Sequence, residues 1–198
     1  NTTASYNTAL GYQAVYGNLT GTELVGVGHN ALIANTTGNY NVAIGGFALD
    51  ANTTASNNTA VGYSALTDNT TGEANTALGS VALDANTTGG FNTGLGVHAL
   101  GANTTASYNT AVGWGSLKVN TTASQNTAVG YQALTATTTG DRNTASGYRS
   151  MATNTTGTTN TAYGSETLRD NTTGTGNVAI GWATLAINTT ASYNTAVG

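Results

Sequence analysis

The side chains that could carry chemistry in this chain recur at fixed spacing. The tripeptide Asn-x-Thr, the acceptor pattern for N-linked glycans, returns about every seventeen residues. The acceptors that we single out are Asn18, Asn52, Asn57 and Asn120. Sugars on one row of stacked units would lie only ~4.8 Å apart, so we expect partial occupancy at most. The competing interpretation is a row of amides in which threonine follows asparagine because the turn requires it.

A second recurring set is aromatic and could stack on sugar rings or on a neighbouring fibre. The possible surface contacts in this set are Tyr12, Tyr63, Trp114, Tyr131 and Trp182. A parallel row contains Tyr6, Tyr40, Phe91, Tyr108 and Tyr193. The competing interpretation is that these rings only cover the edge of the fold.

No constellation in the sequence favours catalysis or metal binding. His29 and His98 are isolated from carboxylates at metal-ligand spacing, and cysteine is absent. Aspartates such as Asp50 and Asp84 occur in too few units for a repeat-type calcium site. Without a nucleophile held against a base in a pocket, we expect no enzyme activity, no cofactor and no metal.

The composition points to a polar chain of very low charge. Only 6% of the 198 residues are charged and the net charge is −4, so no basic surface for nucleic acid is expected. No apolar run approaches the ~20 residues of a spanning helix, so we expect no membrane insertion by this segment. The lack of cysteine together with abundant Thr, Asn and Gly favours an extracellular or cell-surface location. We expect a mature product or a segment of a longer repetitive protein.

The dominant feature is an uninterrupted 17-residue repeat, with eleven full units and a partial twelfth across residues 1–198. We number positions within each unit from its first residue, usually Asn. Position 11 is glycine in every unit, as at Gly11, Gly28, Gly45 and Gly62. Position 3 is always threonine, as at Thr3, Thr20 and Thr37. Other constant rows are Asn at position 1 (Asn52, Asn69), Asn at position 7 (Asn58, Asn75) and Leu at position 15 (Leu32, Leu49, Leu66).

This repeat predicts an all-β fold, a parallel β-solenoid with one unit per coil. Seventeen residues are too few for a helical hairpin, and Thr, Asn and Gly disfavour helix interiors. Short stretches such as 58–62 instead alternate with turn residues. The rod would be roughly 55 Å long. Stacked amides are expected to bond to one another and to turn backbone, and leucine should form the core. The constant glycine requires either a positive φ or a close backbone approach.

The strands carry apolar residues in adjacent pairs, such as Ala60 and Val61. Because neighbouring strand residues face opposite ways, both faces of each strand should be partly buried. One face is the coil interior, and the other needs a partner. We therefore expect a homo-oligomer, with three chains around an axis favoured and a polymerising filament as the alternative.

Several segments carry a resemblance to known surface fibres. The segments 41–45 (NVAIG), 109–113 (NTAVG) and 177–181 (NVAIG) resemble the motif of trimeric autotransporter adhesin heads. The longer pattern Asn-Thr-Ala-Val-Gly-Tyr-x-Ala-Leu is similar to repeats of phage tail fibres and large bacterial surface proteins. The resemblance implies a left-handed parallel β-roll, usually trimeric, on an extracellular fibre or stalk. Its period differs, because adhesin heads commonly use shorter units.

Two functional hypotheses follow from these patterns. The first is a structural or adhesive extracellular fibre segment that supplies length, stiffness and surface display. The second is a binding module that recognises carbohydrate, such as host or cell-surface glycans, or ice along one regular face. Ice binding favours a Thr-x-Thr pair, whereas Thr2 and Thr3 are neighbours and face opposite ways.

Overall fold

The computed structural model describes residues 3–198, and all regular structure in that range is β. None of these residues belongs to a helix with the length and hydropathy needed to cross a membrane. Twelve strands of three residues each form one parallel sheet in chain order. They are β1 to β12, at Thr8–Leu10, Val25–Val27, Val42–Ile44, Thr59–Val61, Thr76–Leu78, Thr93–Leu95, Thr110–Val112, Thr127–Val129, Thr144–Ser146, Thr161–Tyr163, Val178–Ile180 and Thr195–Val197.

Every strand pairs with the strand one unit later, without a slip in register. Thr76 lies beside Thr93, and Leu78 lies beside Leu95, so one coil consumes 17 residues. The same offset holds from β1 to β12. The predicted all-β parallel β-solenoid with one unit per coil is confirmed. Asn1 and Thr2, the first members of their rows, lie outside the described residues.

Hydrogen bonds between coils extend well beyond the three-residue strands. Leu66 donates its N–H to the carbonyl of Ala82, one coil later, at 3.0 Å. Gly62 donates to Ile44, on the preceding coil, at 2.8 Å. Because the turns are bonded coil to coil as well, almost the whole circumference acts as one continuous ladder, which suits a stiff rod.

The interior is narrow and contains small residues around one leucine column. Leu32, Leu49 and Leu66 at position 15 are fully buried, and Met151 replaces leucine in one coil at equal burial. Position 9 places alanine or glycine opposite this column, and Ala60 is fully buried there. Each coil therefore buries one large apolar side chain, and stability must come from the stacking of many coils.

The constant glycine at position 11 meets both conditions that the sequence left as alternatives. Gly62 has φ +138°, a conformation that only glycine adopts readily. A Cβ placed there would lie 2.5 Å from the carbonyl oxygen of Gly79 in the next coil. Backbone conformation and coil spacing therefore both exclude a side chain at this position.

Positions 6, 13 and 15 also have positive φ, and apart from Gly115 and Gly176 the residues there are not glycine. In the fourth unit these are Asn57 (φ 63°), Ser64 (φ 52°) and Leu66 (φ 53°). Left-handed residues reverse the direction of the chain sharply, which lets seventeen residues close a coil. Position 15 accepts this conformation with leucine because the buried contacts of the side chain hold it there. The sequence contains no signal for it, since leucine is not a turn residue.

Candidate functional site

The strands present positions 8 and 10 to the outside and position 9 to the interior. In β5 the side chain of Ala77 is fully buried, while Leu78 is 51% exposed. Thr76, on the same outward side, is partly buried. We call positions 8 and 10 of all coils the outer sheet face. Its exposed large apolar members are Leu10, Ile44, Leu78, Val129, Tyr163, Ile180 and Val197.

This outer sheet face carries no charge along its length. The chain contains four Lys and Arg and eight Asp and Glu, and none of them occupies position 8, 10 or 12. Positions 12 and 6 flank the face on its two sides. Position 12 is uncharged, and the charged residues at position 6 are Glu23 and Arg142. The face thus combines a position 8 row that is mostly threonine with a position 10 row that is apolar except at Ser146. A continuous, uncharged apolar row of about 55 Å is larger than the scattered apolar residues of an ordinary soluble surface.

Aromatic rings recur at position 12 beside this face, and those of Trp114, Tyr131 and Tyr148, in three successive coils, stack on one another. The ring centroids of Trp114 and Tyr131 are 5.1 Å apart with an angle of 13° between planes. Those of Tyr131 and Tyr148 are 5.5 Å apart at 10°. Because the separation matches the coil spacing, the ring faces cover each other and the edges point outward. Trp182 is 77% exposed at the end of the row, and Tyr12 and Tyr63 are exposed as well.

The asparagines at position 1 are buried from Asn18 to Asn171, and their amide nitrogens donate hydrogen bonds to neighbouring groups. Asn52 donates its Nδ2 to the Oδ1 of Asn35 at 2.8 Å and to the carbonyl of Ala55 at 3.1 Å. Asn18 and Asn120 have the same placement and are at most 1% exposed. The folded coil leaves no room for a glycan on these nitrogens.

Asn57 differs from the other three singled-out acceptors. It sits at position 6, where its side chain is exposed. Of the four acceptors, Asn57 is the one whose amide the folded chain presents to solvent.

The asparagines at position 7 use a different bonding pattern. Asn58 donates its Nδ2 to the carbonyl of Gly72, in the next coil, at 2.9 Å. Its Oδ1 accepts the backbone N–H of Asn75 at 2.9 Å. These amides therefore connect side chain to backbone across coils. Leu24 replaces asparagine once and is fully buried.

The two adjacent threonines of the unit have different roles. Position 2 bonds along the rod, since Thr36 Oγ1 donates to the carbonyl of Thr53 at 2.9 Å and later coils repeat this bond. Position 3, which includes Thr3, Thr20 and Thr37, is exposed in every coil. The neighbouring threonines thus face different environments, although they lie in a bend rather than in a strand.

Position 5 has a structural role that the variable sequence does not reveal. In most coils its side-chain oxygen accepts the backbone N–H of position 5 in the preceding coil, as Ser56 does from Asn39 at 3.0 Å. Ser107 accepts from Gly90 at 3.0 Å, and Asp141 accepts from Ser124 at 2.6 Å. Different residue types can accept this backbone N–H because each has an oxygen atom near the start of its side chain. The sequence could have indicated this role only through the side-chain oxygen that most position 5 residues share, because the residue type itself varies.

No family model, curated protein or solved structure matches this chain.

Most charged residues lie on the edge formed by positions 13, 16 and 17, away from the outer sheet face. Arg169 pairs with Glu166 at 3.0 Å and with Asp170 at 2.8 Å, and the guanidinium lowers the pKa of the Asp170 carboxyl. No group of three or more His, Asp or Glu within residues 3–198 is arranged to hold a metal. The charges on this edge therefore form isolated groups and one small ion-pair cluster around Arg169.

Two carboxyl groups on this edge have raised pKa values. Burial raises the pKa of Asp84, while nearby His98 partly offsets that effect and Asp68 adds to it. Burial also raises the pKa of Asp50, and Asp68 again adds to it. In both cases the folded chain holds the proton more tightly than the unfolded chain does.

We expect Asp84→Asn to stabilise the fold at neutral pH. A raised folded pKa means that stability is greatest below the unfolded value of about 3.8 and is lost as pH rises through the folded value. The amide removes this loss, so the stability difference between variant and parent should grow from about pH 3.8 upward. Urea titrations at several pH values measure it. Asp50→Asn should change stability in the same direction, and a difference independent of pH would contradict the assignment.

Proposed function

We propose that this chain is a structural or adhesive segment of an extracellular fibre. The twelve-strand register supports the proposal, because an uninterrupted ladder of 17-residue coils produces length and stiffness from one small unit. The constant or nearly constant positions 1, 7, 9, 11 and 15 line the interior or the contacts between coils, whereas the constant threonine at position 3 is exposed. The outward positions 6, 12 and 13 vary, as expected for a scaffold that displays side chains.

The working form of the segment is a homo-oligomer, with three chains around a common axis favoured and a filament as the alternative. The resemblance to adhesin-head and tail-fibre repeats supports three chains in a left-handed β-roll. A thin coil with one core leucine per turn would also gain stability if association buried a second apolar layer outside the coil. The outer sheet face is the surface through which the chains associate.

The observation that carries this proposal is the composition of the outer sheet face. It carries no Lys, Arg, Asp or Glu over all twelve strands, and its position 10 row is apolar in every strand except at Ser146. In the single chain Leu78 is 51% and Ile180 is 43% exposed. Burial of such side chains contributes about 25 cal/mol per Å² of apolar area. Three chains related by an axis would each contribute the same strip, so the interface repeats with the coils.

Sedimentation of the chain and of two matched variants tests the proposal. Leu78→Glu places a charge on the outer sheet face and is expected to convert the oligomer to monomer, because an unpaired buried charge is costly. Thr71→Glu adds the same charge at exposed position 3 of the same coil and should leave the oligomer intact. Circular dichroism of both variants checks that the β-structure persists.

A monomeric parent chain would contradict the homo-oligomer. An oligomer that survives both Leu78→Glu and Ile180→Glu would contradict the outer sheet face as its interface. A trimer by mass would favour the β-roll, and open-ended particles in electron micrographs would favour the filament.

The second candidate is recognition of a regular surface, either carbohydrate or ice. It is favoured by the in-register rows of threonine at position 8 and aliphatic residues at position 10, as at Thr76 and Leu78. Ice-shaping and glycan-array assays on the parent chain test it. A face buried between chains cannot bind ice, so ice shaping by a monomer would replace the first proposal.

A further inference from the structure

The amide row at position 1 is interrupted once, at Thr137. In a regular coil, Asn69 donates its Nδ2 to Asn52 Oδ1 at 3.1 Å and to the carbonyl of Gly72 at 3.0 Å. The position 7 amide of the preceding coil, Asn58, donates to the same carbonyl at 2.9 Å. The position 1 Nδ2 thus bonds to the side-chain oxygen of the preceding position 1 amide and to the position 4 carbonyl of its own coil. The position 7 amide of the preceding coil donates to that same carbonyl.

Around Thr137 this arrangement loses several of its bonds. The Oδ1 of Asn120, the Nδ2 of Asn126 and the Oγ1 of Thr137 have no hydrogen-bond partner. All three side chains are completely buried. They account for three of the six unpartnered buried side-chain atoms in residues 3–198, so the orphaned groups cluster at the one departure in the row.

The neighbouring carbonyl also changes its partner. Gly140 corresponds to Gly72 of the regular coil, and its oxygen accepts a bond at 3.1 Å from Asn143 Nδ2. Asn143 lies in the same coil as Gly140, whereas the regular donors are position 1 of that coil and position 7 of the preceding coil. The carbonyl therefore lacks the donors that positions 1 and 7 supply in a regular coil.

Threonine cannot supply that donor because its side chain ends at the γ atoms. An asparagine at this position would place Oδ1 and Nδ2 one bond farther from the backbone. A buried group without a partner is costly, and proteins satisfy such groups with ordered water wherever two to four polar partners converge. The groups here provide two acceptors, Asn120 Oδ1 and the Gly140 carbonyl, and two donors, Asn126 Nδ2 and the Thr137 hydroxyl.

We propose that a binding site for one internal water molecule lies between the eighth coil (residues 120–136) and the ninth (residues 137–153), formed by Asn120, Asn126, Thr137 and the carbonyl of Gly140. The water donates to Asn120 Oδ1 and to Gly140, and it accepts from Asn126 and Thr137. It takes the place of the Nδ2 of the missing asparagine, and its two donated bonds replace those that the position 1 amide makes in a regular coil. Because the side chains around it are fully buried, its exchange with solvent requires local opening of the coil.

The variant Thr137→Asn tests the site on the whole chain. The amide should occupy the water position and bond to Asn120 and Gly140 directly. Oxygen-17 magnetic relaxation dispersion counts long-lived internal waters, and the count should fall by one in Thr137→Asn. The variant should also unfold at a higher temperature, because covalent attachment removes the entropy cost of holding the water.

The matched control is Thr139→Val, two residues away at exposed position 3, which should leave the water count unchanged. A crystal structure of the parent chain should show one solvent peak within 2.7–3.2 Å of the four groups. Equal water counts in the parent chain and Thr137→Asn would overturn the proposal. So would a structure in which Asn120 Oδ1 is bonded directly to another protein group.

Discussion

Gly96→Ala is expected to lower the free energy of unfolding by at least about 3 kcal/mol. Gly96 has φ +134°, and an added Cβ would lie 2.6 Å from the carbonyl oxygen of Gly113 in the next coil. Both the contact and the backbone angle resist adjustment, because the opposing atom is main chain and belongs to the coil-to-coil ladder. Urea denaturation followed by circular dichroism measures the loss.

The matched control for this prediction is Gly101→Ala, in the same coil. Gly101 has no positive φ, and its Cβ would meet Asp84 Oδ1 at 3.3 Å, a side-chain atom that can shift. The same position holds alanine at Ala152 and Ala186, so the cost should stay within about 1 kcal/mol. Equal effects of the two substitutions would show that the position 11 glycine is not required by its geometry.

Asn75→Ala is expected to destabilise the chain by about 2–4 kcal/mol. The Oδ1 of Asn75 accepts the backbone N–H of Asn92 at 3.0 Å, and its Nδ2 donates to the carbonyl of Gly89 at 2.8 Å. Alanine leaves the buried N–H of Asn92 without this acceptor and removes atoms from a fully packed interior. Native-state hydrogen exchange should show the amide of Asn92 losing protection.

Two comparisons sharpen this second prediction. Asn75→Leu should cost less than Asn75→Ala, because Leu24 fills the same position in another coil and is fully buried. Asn57→Ala, at an exposed position where Ala74 occurs naturally, should cost about 1 kcal/mol or less. If Asn57→Ala proved as costly as Asn75→Ala, the stability would not come from the buried amide rows.

The fold was predictable because the constant spacing of the repeat gives the number of residues per coil and therefore the pairing of successive strands. A glycine every seventeen residues allows only one coil length, and β-favouring triplets such as 59–61 recur in phase with it. The leucine column was predictable for the same reason, since a constant large apolar residue in a thin coil has only the interior to occupy. Residues that are 17 apart in the sequence become neighbours in adjacent coils, so the sequence pattern translates directly into rows along the rod.

The candidate site was less predictable, because residue type does not reveal direction. Alternation indicates that positions 8 and 10 share a side, and the sequence shows that they carry no charge, but the fold was needed to show that this side is exposed. The glycosylation pattern at Asn52 is equally visible in a buried and in an exposed amide. Positive φ at Leu66 could not be anticipated, because its conformation is held by packing between coils rather than by local preference.

The sequence by itself therefore determined the coil length, the parallel register and the rows that repeat along the rod. It could do so because identical units must stack in identical ways. The tertiary structure decided which rows face inward, how the two asparagine rows bond, and that aromatic rings such as Trp114 and Tyr131 cover one another. Those properties depend on where left-handed residues turn the chain within a coil, and that is settled by contacts between coils rather than by the residues of one unit.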